Sequence, residues 1–257
     1  MRTMRLSAVW VAALVMTVMA TAAGAAELRI AAASDLKYAL AEIAERFRAE
    51  HPDARIDVIY GSSGKFATQI RNGAPFDLYF SADIAYPRSL HEDGYTGGPP
   101  RPYAVGRVVL WATQSGLEGV SLAELPEQEQ IRKFAIANPR HAPYGQRGRE
   151  ALEHAGVWAQ MQPRLVMGEN IAQTAQFVDS GAAQAGIVAL SLVKSPPLRD
   201  KGSWSLIPAD WHQPLDQGYV VTARGADNPL ARAFAEYMAG ESARAVMRRY
   251  GFALPGR

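Results

Sequence analysis

Apolar residues recur at helical spacing directly after the first strand-like segment of the chain. The run ELRIAAAS (27–34) is predicted to form a strand, and the next segment puts one apolar stripe on a helix, at Leu36, Ala39, Leu40, Ile43 and Phe47. Between positions 54 and 83, ARIDVIY and FDLYFSAD are predicted to form strands, and KFATQIRNG between them is predicted to form a helix. This alternation predicts a parallel β-sheet with helices on both faces.

A proline- and glycine-rich break at 97–102 separates this group of elements from a second one. The segment YAVGRVVLWAT that follows is long enough to cross between two lobes, and the chain returns near DQGYVVTARG (216–225). We therefore predict an α/β protein with two Rossmann-like lobes, a central cleft and two hinge crossings, the type II periplasmic binding protein architecture. Residues 27–105 and 219–257 would form the first lobe and residues 106–218 the second.

The first 26 residues have the layout of a secretory signal peptide. Arg2 and Arg5 precede a long apolar run, which ends in the small-residue cluster TAAGAA. We predict cleavage near Ala25 or Ala26 and a periplasmic mature protein. An uncleaved membrane anchor is the alternative, because the segment is just long enough to span a bilayer.

Charge and cysteine content narrow the classes of function. The chain of 257 residues has 27 basic and 25 acidic residues, and the leader holds two of the basic ones and no acidic one. The mature chain is therefore balanced in charge, which gives no reason to expect nucleic acid as a partner. The absence of cysteine excludes disulfides and thiolate metal sites.

Four predicted strand-to-helix turns carry residues suited to holding an anion. Ser34 and Ser63 are each predicted to cap a helix, residues 143–145 open another, and Asn170 with Gln173 has capping-box spacing. First-turn amides have no acceptor within their own helix and lie at its positive end. In open α/β sheets such turns meet at the carboxyl ends of the strands. One of these residues alone would be only a cap, but all four turns together favour an anion site, with glycines 61 and 64 allowing close approach of the ligand.

Enzyme chemistry finds little support in the sequence. The five histidines lack metal-ligand spacing and are expected at the surface, and the G-x-S-x-G elbow of serine hydrolases is absent. An exported hydrolase or transferase using Tyr144 or Ser63 remains an alternative, although neither residue has a base at recognisable spacing. We predict that the protein is not an enzyme and needs no cofactor.

Several segments resemble the periplasmic molybdate-binding proteins of ABC transporters. They are AAASDLKYALAEIAERF, YGSSGKFATQIRNGAPFDLYFSAD, ANPRHAPYG, GENIAQTAQFVDSGAAQAGIVA and RRYGF, in the same order over essentially the whole mature chain. The resemblance implies a monomeric binding protein that holds molybdate or tungstate between its lobes and delivers it to a membrane permease.

The resemblance also implies which residues hold the oxyanion. They are the hydroxyls of Ser34 and Ser63 and the amides of Asp35, Tyr144 and Ile171. The strand tyrosine that many members use is replaced by Ala189, so the Tyr144 hydroxyl is a candidate substitute. Because a carboxylate repels a dianion, the Asp35 side chain is expected to point outward. Lys65 and Arg147 are the basic residues that could steer an anion, and both are expected at the surface.

Two further alternatives stay open at this stage. The same fold could hold sulfate, phosphate or an organic anion. It could also form the ligand-sensing lobe of a regulator, although the leader and the absence of a helix-turn-helix segment disfavour this.

Overall fold

The structure is a computed structural model that describes residues 27–255. Its strands are β1 (Glu27–Ala33), β2 (Arg55–Gly61), β3 (Leu78–Ser81), β4 (Arg101–Gly106), β5 (Val108–Ala112), β6 (Phe134–Ala137), β7 (Leu165–Gly168), β8 (Ala185–Ala189), β9 (Ser203–Leu206) and β10 (Leu215–Val221). Its helices are α1 (Lys37–Glu50), α2 (Ser63–Arg71), α3 (Ala85–Glu92), α4 (Pro143–His154), α5 (Trp158–Met161), α6 (Ile171–Asp179), α7 (Leu190–Val193), α8 (Pro229–Ala239) and α9 (Glu241–Arg249). A 3₁₀ turn, Ser34–Leu36, joins β1 to α1.

The strands form two five-stranded sheets. The first has the order β2-β1-β3-β10-β4 and the second β7-β6-β8-β5-β9. In the first sheet β1 runs parallel to β2 and β3, whereas β10 is antiparallel to both of its neighbours. In the second, β6 is parallel to β7 and β8, and β5 is antiparallel to both of its neighbours. The predicted parallel arrangement is confirmed for β1, β2 and β3, and the antiparallel strands β10 and β5 make both sheets mixed.

The two antiparallel strands are the ones that follow the hinge crossings. Only Arg107 separates β4 in the first sheet from β5 in the second. In each sheet the parallel strands run toward the cleft, where their carboxyl ends lie. A chain that crosses the cleft enters the other sheet from that side, so its strand runs away from the cleft and is antiparallel to them. The same holds for β10 on the return. The α/β two-lobe fold with two crossings is confirmed, while the lobe boundaries at 105/106 and 218/219 stay a prediction and fall within β4 and β10.

Each sheet has its own apolar core. In the first, Phe80 on β3 stacks on Tyr219 of β10 at 5.1 Å between ring centroids, and Phe47 of α1 meets Phe234 of α8. In the second, the largest fully buried side chain is Trp111 on β5. These cores make each lobe a solid support, so that the turns at the carboxyl ends of the parallel strands are held facing the cleft.

The predicted leader, residues 1–26, lies outside the described residues. Between residues 27 and 255 no helix combines the length and the apolar character that crossing a membrane requires.

Candidate functional site

A small cavity lies between the lobes and brings together all five residues predicted to hold an anion. The interior that a water-sized sphere can occupy is about 10 Å³, close to the least that holds one water molecule. The first lobe lines it with Ala33, Ser34, Asp35, Gly61, Ser62, Ser63 and Ala82, and the second with Ala142, Pro143, Tyr144, Asn170 and Ile171. Within the described chain this lining contains no lysine, arginine or histidine.

Ser34 joins the two lobes. Its hydroxyl donates to Asn170 Oδ1 at 3.0 Å and accepts from the amide of Ala172 at 3.1 Å. The 3₁₀ turn that Ser34 opens has no side-chain cap, so the prediction that this serine caps a helix was wrong. The hydroxyl therefore reaches the start of α6, the helix whose first turn faces the cavity.

Ser63 is buried with a hydroxyl hydrogen still available. Its Oγ accepts from the amide of Ala82 at 3.0 Å, and its carbonyl accepts from Tyr79 Oη at 2.7 Å. It is the first residue of α2, whereas Ser62 occupies the cap position, so the prediction that Ser63 is the cap was wrong by one residue. A hydroxyl whose oxygen is already used as an acceptor is oriented to donate to a further acceptor.

The two glycines around this serine pair serve packing. A Cβ on Gly61 would lie 2.8 Å from the ring of Phe66, and one on Gly64 would lie 2.9 Å from the carbonyl oxygen of His141 in the other lobe. The same carbonyl accepts from the Gly64 amide at 2.9 Å and from the Ser62 hydroxyl. Gly64 thus permits close approach of the second lobe, which sequence reasoning had attributed to a ligand.

Asp35 does not point outward, and that prediction was wrong. The residue is only 1% exposed. Its Oδ2 accepts hydrogen bonds from Gln217 Nε2 at 2.7 Å and from Tyr144 Oη at 3.0 Å. Burial raises the pKa of this carboxyl to about 7, and the hydrogen bonds from Gln217 and Tyr144 and the nearby amides of Asp35 and Leu36 lower it only in part. Oδ1 has no group in hydrogen-bond geometry among the described residues.

Tyr144 and Ile171 each stand in the first turn of a helix of the second lobe. The Tyr144 hydroxyl donates to Asp35, and burial raises its pKa well above the ordinary value. Ile171 is the first residue of α6, and the side chain of Asn170 accepts from the amide of Gln173 at 3.0 Å, which confirms the predicted cap. The amides of Tyr144 and Ile171 have no acceptor within their own helices.

Two ion pairs among the described residues join the lobes. Lys65 of α2 pairs with Glu169, and Arg147 of α4 pairs with Asp83 at 3.2 Å. Arg147 is only 8% exposed and also pairs with Glu150, so the prediction that it lies at the surface was wrong. Its burial follows from the packing of α4 against the first lobe.

Sequence reasoning missed the residues that connect the lobes. Gln217 is fully buried on β10, with Tyr103 Oη donating to its Oε1 at 2.6 Å. Ser191 donates to the carbonyl of Asp35 at 2.7 Å. A glutamine inside the apolar run of a crossing strand was the one available signal.

The described residues contain no group of three or more His, Asp or Glu side chains that could hold a metal ion. Apart from the Asp35 carboxyl and the Asn170 side chain, the polar groups around the cavity are hydroxyls and backbone amides. Such donors hydrogen-bond the oxygens of an anion.

Residues 28–253 of this chain match the family of bacterial extracellular solute-binding proteins. The chain belongs to this family. It is 36% identical to the molybdate-binding protein ModA of Azotobacter vinelandii over 238 residues, covering 92% of this chain and 93% of the relative. The corresponding protein of Rhodobacter capsulatus is 34% identical over 235 residues, 91% of each chain.

The fold of this solute-binding protein matches a solved relative as well. The periplasmic molybdate-binding protein of Azotobacter vinelandii superposes with a TM-score of 0.83 and 32% identity, over 89% of this chain and all of the other. The resemblance noted in the sequence is thereby confirmed.

Proposed function

We propose that this protein captures molybdate between its lobes and delivers it to the permease of an ABC transporter. The observation that carries the proposal is the convergence of Ser34, Asp35, Ser63, Tyr144 and Ile171, from four separate turns, on one cavity. The relatives that match over nine tenths of the chain are molybdate-binding proteins, which supports the choice of anion.

The donors are arranged for a tetrahedral oxyanion. The Ser63 hydroxyl is oriented to donate, and the first-turn amides of α2, α4 and α6 bring positive helix ends to the cavity from both lobes. The Ser34 hydroxyl can turn from Asn170 toward the ligand because Asn170 Oδ1 also accepts from Gln173. Position 189 on β8 is a fully buried alanine, and β8 contains no tyrosine that could supply a hydroxyl.

Capture requires the lobes to separate, because a cavity of about 10 Å³ holds at most about one water molecule and molybdate is larger. Opening breaks the contacts of Gly64 with His141 and of Arg147 with Asp83, which re-form on closure, and the contact of Ser34 with Asn170, which the anion replaces. Closure excludes water and strengthens each charge-assisted hydrogen bond to the anion. Tungstate has the same charge and shape and would be held in the same way, whereas smaller sulfate would leave some donors out of reach.

The cellular setting follows from the predicted leader and the family. We infer that the mature protein is a periplasmic monomer that binds molybdate or tungstate, performs no catalysis and docks in its closed form on the permease. Nucleic acid has no part in this function.

The hydrolase alternative gains one contact in the structure, because Ser62 Oγ lies 2.9 Å from His141 Nδ1. The Ser62 hydroxyl donates to the carbonyl of His141, and within the described residues no carboxylate hydrogen-bonds to this imidazole. The third member of a serine–histidine–carboxylate arrangement is thus missing. The contact is better explained as one that joins the lobes.

Isothermal titration tests the proposal. Purified mature protein, stripped of anion, should bind one molybdate tightly and tungstate similarly, with little heat from sulfate or phosphate. Ser63→Ala should weaken binding, while Ser205→Ala, an exposed serine on β9, serves as the matched control. If the folded protein binds sulfate or phosphate in preference to molybdate, that anion is its ligand and the assignment of molybdate is wrong. If the folded protein binds no oxyanion, the proposal is refuted.

A further inference from the structure

The Asp35 carboxyl is an unusual component for an anion site. It lines the cavity beside Ser34 and Ser63, it is fully buried, and within residues 27–255 no Lys, Arg or His side chain forms an ion pair with it. One of its oxygens, Oδ1, lacks a hydrogen-bond partner among those residues. Buried carboxylates are normally paired with a cation or fully hydrogen-bonded.

The groups that face Asp35 are neutral. α4 presents the phenol of Tyr144, β10 the amide of Gln217, β4 the phenol of Tyr103 behind that amide, and α7 the hydroxyl of Ser191. Lys37, Tyr38, Tyr60 and Asp179, on the neighbouring elements α1, β2 and α6, line a separate groove that includes Ser34 but not Asp35. No counter-charge therefore compensates an ionised Asp35 from any of these elements.

A doubly charged anion in the same cavity makes the ionised carboxylate still less favourable. Like charges at contact distance repel strongly where water is excluded. A proton on Oδ1 removes this repulsion and turns the unpartnered oxygen into a donor. Oδ2 would keep accepting from Tyr144 and Gln217. The neutral acid therefore fits the occupied site, and the ionised form does not.

We propose that capture of the oxyanion takes up one proton from solvent, which is held on Oδ1 of Asp35 while the anion is bound and is returned when the anion leaves. This inference rests on the proposed function. The step balances as follows. The ionised Asp35 carboxylate takes one proton from solvent as the dianion binds, which gives a neutral carboxylic acid beside the bound dianion. No bond to the metal atom of the anion is formed. The raised pKa of Asp35, caused by burial, agrees with this geometry.

The pH dependence has a definite sign. A group whose pKa rises on binding favours the complex at low pH, and the affinity is lost as the pH rises above the pKa of the free site. Molybdate stays a dianion over this range. The dissociation constant should therefore rise with pH, by up to about tenfold per unit, once the pH exceeds the pKa of Asp35 in the free protein.

The experiment is isothermal titration of the mature protein with sodium molybdate at pH 8 in Tris and in HEPES, whose ionisation enthalpies differ. The difference in heat should correspond to uptake of about one proton per anion. Asp35→Asn should show no uptake and an affinity that does not vary with pH. Asp200→Asn, which changes an exposed carboxylate outside the cavity lining, should keep the uptake.

The outcomes separate the two proposals. Tight binding by the wild-type protein without proton uptake, and with an affinity independent of pH, would overturn this inference and leave the proposed function standing. Uptake that persists in Asp35→Asn would assign the proton to another group and also overturn it. If Asp35→Asn does not fold, Asp35→Ser is titrated in its place, and the uptake should again be lost. Absence of binding to any oxyanion at every pH, in folded protein, would instead refute the proposed function.

Discussion

Gly64→Ala should weaken anion binding without weakening the fold. Gly64 is the second residue of α2 and has no positive φ, so alanine fits its backbone. The added Cβ would lie 2.9 Å from the carbonyl oxygen of His141 and 3.1 Å from its Cα, both in the other lobe. Within its own lobe it would meet the tip of Tyr86 at 3.0 Å, and that side chain can move. The conflict therefore arises only when the lobes close.

The size of the effect follows from these contacts. Carbon–oxygen contacts are ordinarily about half an ångström longer, so the lobes must shift apart by that amount. Overpacking of this kind costs about 1–3 kcal/mol. The shift also strains the hydrogen bonds that the His141 carbonyl accepts from Gly64 and Ser62, each contributing about 1 kcal/mol. A loss of about 2–3 kcal/mol corresponds to a roughly 30- to 150-fold weaker affinity.

The assay combines molybdate titration with urea unfolding in the absence of anion. Because alanine is favoured over glycine in a helix by about 1 kcal/mol, the free energy of unfolding should stay equal or rise slightly. Gly98→Ala is the control, since its Cβ would have no neighbour within 4 Å. An affinity within about twofold of wild type would show that the Gly64–His141 contact is absent from the anion-bound state.

Three further predictions concern the cavity and its rim. Ser63→Ala removes one charge-assisted hydrogen bond, so titration should show an affinity about 10- to 100-fold weaker than that of Ser205→Ala. Arg147→Met breaks the interlobe pair with Asp83, and stopped-flow should show about tenfold faster anion release; an unchanged rate would mean that this pair does not hold the closed form. The pKa of Asp35 is about 7 in the folded protein, above its unfolded value, so the folded state binds the proton more tightly. The free energy of unfolding should therefore fall by up to about 4 kcal/mol between pH 4 and pH 7. Urea unfolding should show this fall in wild type but not in Asp35→Asn, and parallel curves would exclude a buried ionisable Asp35.

The local pattern of the sequence determined the elements and the place of the site. Apolar periodicity identified β1, α1, β2 and α2, and the spacing of Asn170 and Gln173 identified the start of α6. The site could be located because the carboxyl ends of parallel strands in a two-lobe fold meet at one cleft. Ser34, Ser63, Tyr144 and Ile171 could therefore be assigned to one cavity from their turns, while the resemblance to molybdate-binding proteins added Asp35.

Only the tertiary structure decided how those side chains are used. Asp35 turns inward because its partners Tyr144 and Gln217 are 109 and 182 residues away, and nothing in the local sequence reports them. Gly64 is required by a carbonyl of the other lobe, and Ser34 donates across the cleft where a local cap was predicted. Periodicity and capping act over a few residues, whereas burial and contact between lobes depend on the packing of the whole chain. The elements were thus determined locally, and the chemistry of the cavity was determined by the closure of the lobes.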